Sequence, residues 1–208
     1  MSRGRRAATL PVAFFRRDAE SVARDLLGSM LVTEFRGRRT AGRIVEVEAY
    51  LGAEDPASHA YRYRRHARNQ ALYGHPGDWY VYLSYCVHWC ANVVVGPPGL
   101  GAAVLLRALQ PVEGLDLMRR RRQARAERLL CAGPGRLTEA LGISRAIDGS
   151  AMRSSTARIE TGDPLEPSAI LVTPRIGITQ AADWQLRFAE RGSQWLSGGP
   201  QRNQDRSA

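Results

Sequence analysis

Gly42-Arg43-Ile44-Val45-Glu46-Val47-Glu48-Ala49-Tyr50 is followed, after a polar stretch holding His59, by Trp79-Tyr80-Val81-Tyr82-Leu83-Ser84-Tyr85. Both runs are rich in β-branched and aromatic residues, which suit a pleated, half-buried surface, so both read as strands. Side chains alternate along a strand, placing Ile44, Glu46, Glu48 and Tyr50 on one face and Val45, Val47 and Ala49 on the other. The second face is an ordinary core face. Two acids leading into a tyrosine, inside so strong a β-former run, predict a concave and partly desolvated site on the first.

Working outward, Ala19, Val22, Ala23, Leu26 and Leu27 fall at helical spacing and predict a helix over 18–27, stopped by Gly28. Residues 31–35 read as a strand, joined through Arg36-Gly37-Arg38-Arg39-Thr40 to the acidic strand as a hairpin. From 52 to 77 the chain is polar and turn-rich, a length that inside a compact domain usually serves function, and Arg62, Arg64, Arg65 and Arg68 cluster within it. Further strands are expected at 80–85, 90–95 and 103–109. Pro111 suits the first turn of a helix reaching to about residue 130, with Arg119, Arg120, Arg121 and Arg122 on a solvated face. A short helix follows from Gly133-Pro134-Gly135 to Gly142, then strands at 170–173, 176–179 and 186–189. The tails, 1–8 and 198–208, are expected to be disordered, leaving a single domain over 9–197.

With 208 residues, 44% of them hydrophobic, the chain has material for one sizeable core. Its formal charge of +10 points to a polyanionic partner, without choosing between nucleic acid and an acidic membrane. All 30 cationic side chains are Arg, so any mechanism forming a Schiff base through a side-chain amine is excluded. Cys86, Cys90 and Cys131 have no CxxC spacing, which speaks against a disulfide framework or a standard zinc site and fits a reducing cytoplasm. Cys86, His88 and Cys90 would share a face if 86–90 were a strand, but no second cluster completes a tetrahedral site, so buried cysteines in a strand are the expected reading. No metal or cofactor is expected. The basic, then apolar, N-terminal run is broken by Pro11 and ends at Arg16-Arg17, a poor signal peptide. No apolar stretch approaches the roughly 20 residues of a membrane span, so no membrane partner is expected.

Alternate residues on one strand face lie roughly 6.5–7 Å apart, close to the carboxylate separation that admits a water in inverting glycoside hydrolysis. Only one base is needed, and Glu46 is expected to be the ion-pair partner of an arginine. Tyr50, His59, Tyr80, Tyr82 and Tyr85 around a carboxylate, on a basic protein, suit a planar base stacked between rings. Taken singly, each tyrosine is more often a core or surface residue. Three readings stand: hydrolysis of an N-glycosidic bond in nucleic acid, a non-catalytic DNA- or tRNA-binding module, and a carbohydrate hydrolase using both acids, which leaves the charge unexplained.

The chain also resembles the alkyladenine (3-methyladenine, or methylpurine) DNA glycosylase family, collinearly over about residues 12–197. The matching stretches are Gly42 to Gly52, Glu54-Asp55, His59, Arg68-Asn69, Pro76-Gly77, Tyr80-Val81-Tyr82 with Tyr85, and Asn92. They continue through Val104-Leu105-Leu106-Arg107-Ala108-Leu109, Gly133-Pro134 with Leu137, Gly162-Asp163-Pro164, Pro174-Arg175-Ile176-Gly177 and Leu186-Arg187-Phe188. The resemblance implies an α+β fold: one mixed domain with a curved, mainly antiparallel sheet, surrounding helices and a protruding β-hairpin, like the C-terminal domain of methionyl-tRNA formyltransferases. It implies an enzyme that flips damaged purines (3-methyladenine, with 7-methylguanine, hypoxanthine and ethenoadenine as further candidates) out of double-stranded DNA and leaves an abasic site; with no Lys in the chain, the enzyme is expected to be monofunctional.

By that resemblance Glu48 is the general base that activates water and Arg107 helps hold the water. Tyr50, His59 and Tyr82 wall the base pocket, Asn92 crowds a guanine's exocyclic amine, and Tyr85 is the wedge entering the duplex. Arg62, Arg64, Arg65 and Arg68 are candidates for backbone phosphates, and a nearby Arg107 is expected to keep Glu48 ionised. A cytoplasmic monomer, associated with the nucleoid if bacterial, is the expected state. Three departures stand out: Cys86 where the family has Gly, which predicts an altered turn; His88 and Trp89 beside it; and a 95–101 loop lengthened around Pro97-Pro98.

Overall fold

A computed structural model describes residues 8–124 and 126–198. After a single turn, α1 (Val12–Phe15), Asp18 accepts the Ser21 backbone N–H and caps α2 (Ala19–Leu26), whose Val22, Ala23 and Leu26 are buried. Gly28, at φ 87°, ends it; a Cβ there would sit 2.0 Å from the Asp163 carbonyl oxygen. β1 (Met30–Phe35) and β2 (Arg38–Tyr50) form the expected hairpin. Arg36 and Gly37 both have positive φ, the geometry of a tight turn matching the strand twist.

The remaining strands are β3 (Trp79–Ser84), β4 (His88–Val95), β5 (Ala102–Glu113), β6 (Ala157–Glu160), β7 (Ile170–Thr173) and β8 (Arg187–Glu190). The helices α3 (Leu115–Arg122) and α4 (Pro134–Leu141) lie between β5 and β6. The fold is α+β, with one eight-stranded sheet in the order β3-β4-β5-β2-β1-β6 and β8 pairing with both β2 and β7. Its strand pairs are antiparallel. α2 packs on β2 and β5, and α4 on β4 and β5. The core between them gathers Leu26, Leu31, Ile44, Val47, Trp79, Leu106, Leu137 and Phe188.

The simple alternation along β2 fails at one point. Register shifts flank Glu46, so Ile44 packs in the main core with Val47 and Ala49, while Val45 joins Ala108, Ala189 and Leu196 on the opposite side. A β-bulge, which changes which face each side chain meets, thus moves Ile44 off the face expected for it.

The helix expected from Pro111 starts later and is shorter. β5 continues through Pro111, which pairs with Gly42 at another register shift, where the ladder is already interrupted and a missing N–H costs little. Gly114 (φ 76°) then caps α3, and Gln123 (φ 48°) ends it. Residues 176–179 form no strand, because the Ile176 N–H turns onto a buried carboxylate instead of a ladder. The expected disorder at 1–8 and 198–208 falls, apart from Ala8 and Gly198, outside the described residues; Ala8 accepts a hydrogen bond from the Thr161 N–H. Among the described residues, no helix is long and apolar enough to cross a membrane.

Candidate active site

The bulge in β2 brings Glu46 and Glu48 to the same guanidinium, that of Arg107 on β5. Arg107 Nε donates to Glu46 Oε1 at 2.9 Å, and its Nη1 lies 3.2 Å from Glu48 Oε2. Beyond this shared partner the two acids differ. Glu46 also accepts from Arg187 Nε (2.8 Å) and from both the N–H and hydroxyl of Ser197 (2.6 Å each), so the expected pairing of Glu46 with arginine is present, with two guanidiniums against the one that Glu48 shares. Glu48 accepts from the Ile176 N–H at 2.7 Å and the Tyr50 hydroxyl at 3.0 Å.

Neither acid exposes any side-chain surface, and the consequences are opposite. Burial pushes both carboxyls up, but two guanidiniums, Arg187 and Arg107, hold Glu46 below its ordinary range. For Glu48, burial outweighs Arg107 and the Ile176 and Tyr50 bonds, and the carboxyl sits above its ordinary range. The attraction of Arg107, expected to keep Glu48 ionised, is therefore present but is the smaller effect.

The loop that carries Ile176 is held by a buried ion pair. Arg175 Nη2 donates to Asp55 Oδ1 at 2.8 Å and Nη1 to the Ala49 carbonyl at 3.0 Å, and the guanidinium lies 4.6 Å from the Tyr50 ring centroid. One arginine so fixes Tyr50, the end of β2 and the N–H that faces Glu48.

Tyr50, Arg107 and Ile176 line a cavity of about 900 Å³; Glu48 is not among the lining residues and meets the cavity through its contacts with these three. The lining is also aromatic: the Tyr80 and Tyr82 rings stack at 5.4 Å, and His59 meets Tyr82 edge-on at 4.5 Å. His59 Nδ1 and the Tyr80 hydroxyl are 2.7 Å apart, and burial holds the imidazole below its ordinary pKa, favouring the neutral ring. Asn92 lines the same cavity, its amide donating to the Tyr80 carbonyl at 3.1 Å. Tyr50, His59, Tyr82, Asn92 and Arg107, far apart in sequence, thus meet around one space.

At the rim, β3 and β4 end in a turn where Tyr85 (φ 48°) and Cys86 (φ 56°) are both left-handed and the Val87 N–H closes onto the Ser84 carbonyl. Tyr85 is 85% exposed. Cys86 takes the conformation glycine adopts without strain, so the substitution appears as backbone strain. Cys86 is exposed in this turn and does not lie buried in a strand, whereas Cys90 and Cys131 are buried. α4 supports the hairpin base: Thr138 donates to the Trp89 carbonyl, and a Cβ on Gly135 would come within 2.5 Å of the His88 ring.

Arg62, Arg64, Arg65 and Arg68 are exposed. Arg68 lines the cavity rim, while Arg65 folds over the Tyr73 ring at 3.9 Å. Asn69, fully buried, donates to the carbonyls of both His59 and Arg64 and so ties this arginine loop to the pocket wall. On α3, Arg119 pairs with Asp116 and Glu127, and Arg122 with Glu139. Among the described residues, no group of three His, Cys, Asp or Glu could hold a metal. Sequence reasoning assigned no role to Ile176, Arg175, Arg187 or Ser197; the first three lie in stretches that carry the family resemblance, which was the available signal.

A family model described as Methylpurine-DNA glycosylase (MPG) matches residues 13–194. A protein of Methanoculleus marisnigri is 49% identical over 192 residues, covering 91% of this chain and 98% of its own. One of Nitrosospira multiformis is 46% identical over 187 residues (90% and 93%), and one of Carboxydothermus hydrogenoformans 42% over 189 (90% and 98%). All three are provisionally named 3-methyladenine DNA glycosylase.

Proposed function

The chain belongs to the methylpurine-DNA glycosylase family and is a DNA glycosylase, and from that premise we propose that it excises 3-methyladenine and related damaged purines from duplex DNA as a monofunctional enzyme. The supporting observation is Glu48, a buried carboxylate with a raised pKa, held by Arg107, Tyr50 and Ile176, which line an aromatic cavity.

Extruding a nucleotide costs a few kcal/mol of stacking and pairing, least at a damaged base. Tyr85, exposed on a strained turn, enters the duplex where the nucleotide leaves, and Arg62, Arg64, Arg65 and Arg68 meet backbone phosphates. The base lies between Tyr50 and Tyr82, with His59 donating a hydrogen bond and Asn92 opposing a guanine's exocyclic amine. Glu48 accepts a proton from water as the water oxygen attacks C1′, and the C1′–N electron pair leaves with the base. Arg107 orients that water, and the carboxylate stabilises the cationic sugar. A base alkylated to a cation departs neutral without further protonation. The absence of Lys supports hydrolysis without strand cleavage, because no side-chain amine can form a Schiff base. Residues 9–197 act as one unit, as a monomer.

The test is incubation of the protein with duplexes carrying 3-methyladenine, 7-methylguanine, hypoxanthine or ethenoadenine. Release of the first is expected; release of none removes the reading.

A further inference from the structure

A second cavity, of about 380 Å³, opens behind the first, and Arg107 and Ile176 line both. Its other walls include Arg128, Arg136, Gly133 and Ser197. The charges here are not balanced. Arg107 is neutralised by Glu46 and Glu48, but Arg128 and Arg136 enter no ion pair among the described residues, unlike Arg119 and Arg122 nearby. Among the described residues, Arg136 reaches only the Ala132 carbonyl, at 3.3 Å. Arg128 Nη2 is buried with no hydrogen-bond partner among the described residues; Arg17 Nη2, Arg122 Nε and Arg175 Nε share that state, but of these four residues Arg128 alone lines this cavity. A guanidinium N–H withdrawn from water and left without an acceptor is costly, and such a group in a folded protein calls for an explanation. The N-terminus of α4 adds to the same field, since Gly133 caps it without a side chain and Pro134 occupies its first turn.

We infer that this cavity is a phosphate site, in which Arg128 and Arg136 clamp a phosphodiester of the DNA strand next to the extruded nucleotide. The inference rests on the glycosylase reading above and adds to it the contact that fixes the strand. A planar fork suits the oxygens of a phosphodiester, and an anion would satisfy the orphaned Nη2. The two cavities share Arg107 and Ile176, so a phosphate in one and a nucleotide in the other would lie on adjoining parts of one strand. Bases elsewhere in the duplex would not be read by this contact, which positions the backbone.

The test uses the full chain and a lesion duplex in which single phosphates on either side of the lesion are replaced by neutral methylphosphonates. Binding is measured across a salt series for wild type, Arg128→Gln and Arg136→Gln. Each variant should bind about tenfold more weakly, with a salt slope shallower by about 0.9. One methylphosphonate duplex should weaken wild type, yet weaken Arg128→Gln no further. That non-additivity would not arise from a variant that is merely misfolded. Equal methylphosphonate penalties in wild type and variant, or unchanged salt slopes, would overturn the site, as would loss of binding to inorganic phosphate alone with DNA affinity untouched. Failure of wild type to release any damaged base would instead sink the functional reading and leave this contact to be judged by the binding data.

Discussion

Glu46 and Glu48 stand two residues apart on one strand and share the guanidinium of Arg107, yet they hold opposite electrostatic positions. Glu46 has a second cation and both donors of Ser197, so its charge is stabilised; Glu48 has one shared cation and is dominated by burial.

That difference predicts opposite effects on stability. Glu46→Gln leaves Arg187 and part of Arg107 buried without compensation and should cost about 3 kcal/mol or more in urea unfolding. Glu48→Gln removes a charge that the fold disfavours, so stability should stay within about 1 kcal/mol of wild type or rise. Equal losses in the two variants would contradict the division of roles.

The pH dependence follows from the same contrast. A general base works when deprotonated, so activity should rise with pH through the pKa of Glu48. Because burial raises that pKa, the acidic limb of single-turnover excision should lie above the roughly 4.3 of an unperturbed Glu. A raised carboxyl also stabilises the fold most at low pH and loses that contribution as pH rises through its folded value. A limb at or below the unperturbed value would show that Arg107 dominates.

The strained hairpin tip should separate binding from stability. Tyr85 is exposed, so Tyr85→Ala should change unfolding free energy by no more than about 0.5 kcal/mol while weakening affinity for a lesion duplex. Cys86→Gly should gain about 1 kcal/mol by relieving a left-handed non-glycine residue. Unchanged duplex binding by Tyr85→Ala would argue against the wedge.

Product DNA should remain intact until treated with alkali, read on a denaturing gel. Nicking by the pure enzyme would require an amine the side chains do not supply.

The legible parts of this protein are those set by local pattern. The β-former runs located β2 and β3, the Arg36-Gly37 turn located the β1–β2 hairpin, and Asp18 with Gly28 bracketed α2. Where partners distant in sequence decide, local pattern misleads. Pro111 has a local preference for a helix start, but pairing with Gly42 keeps it in β5. The Ile-Gly-Ile-Thr run at 176–179 reads as a strand, yet its first N–H is claimed by Glu48, 128 residues earlier. The bulge that moves Ile44 depends on β5 and β8 meeting β2 at Glu46, and no property of residues 44–46 announces it. For the site, the tyrosines, His59 and both acids were visible as residue types; their division between Glu46 and Glu48 rests on Arg187 and Ser197, which only the fold brings near.

The most direct measurement is single-turnover release of a damaged purine by Glu48→Gln, compared with wild type at saturating enzyme, alongside its affinity for the same duplex. Loss of the base should slow release by about 10²–10⁴-fold while lesion binding persists. Release at the wild-type rate would show that Glu48 does not activate the water.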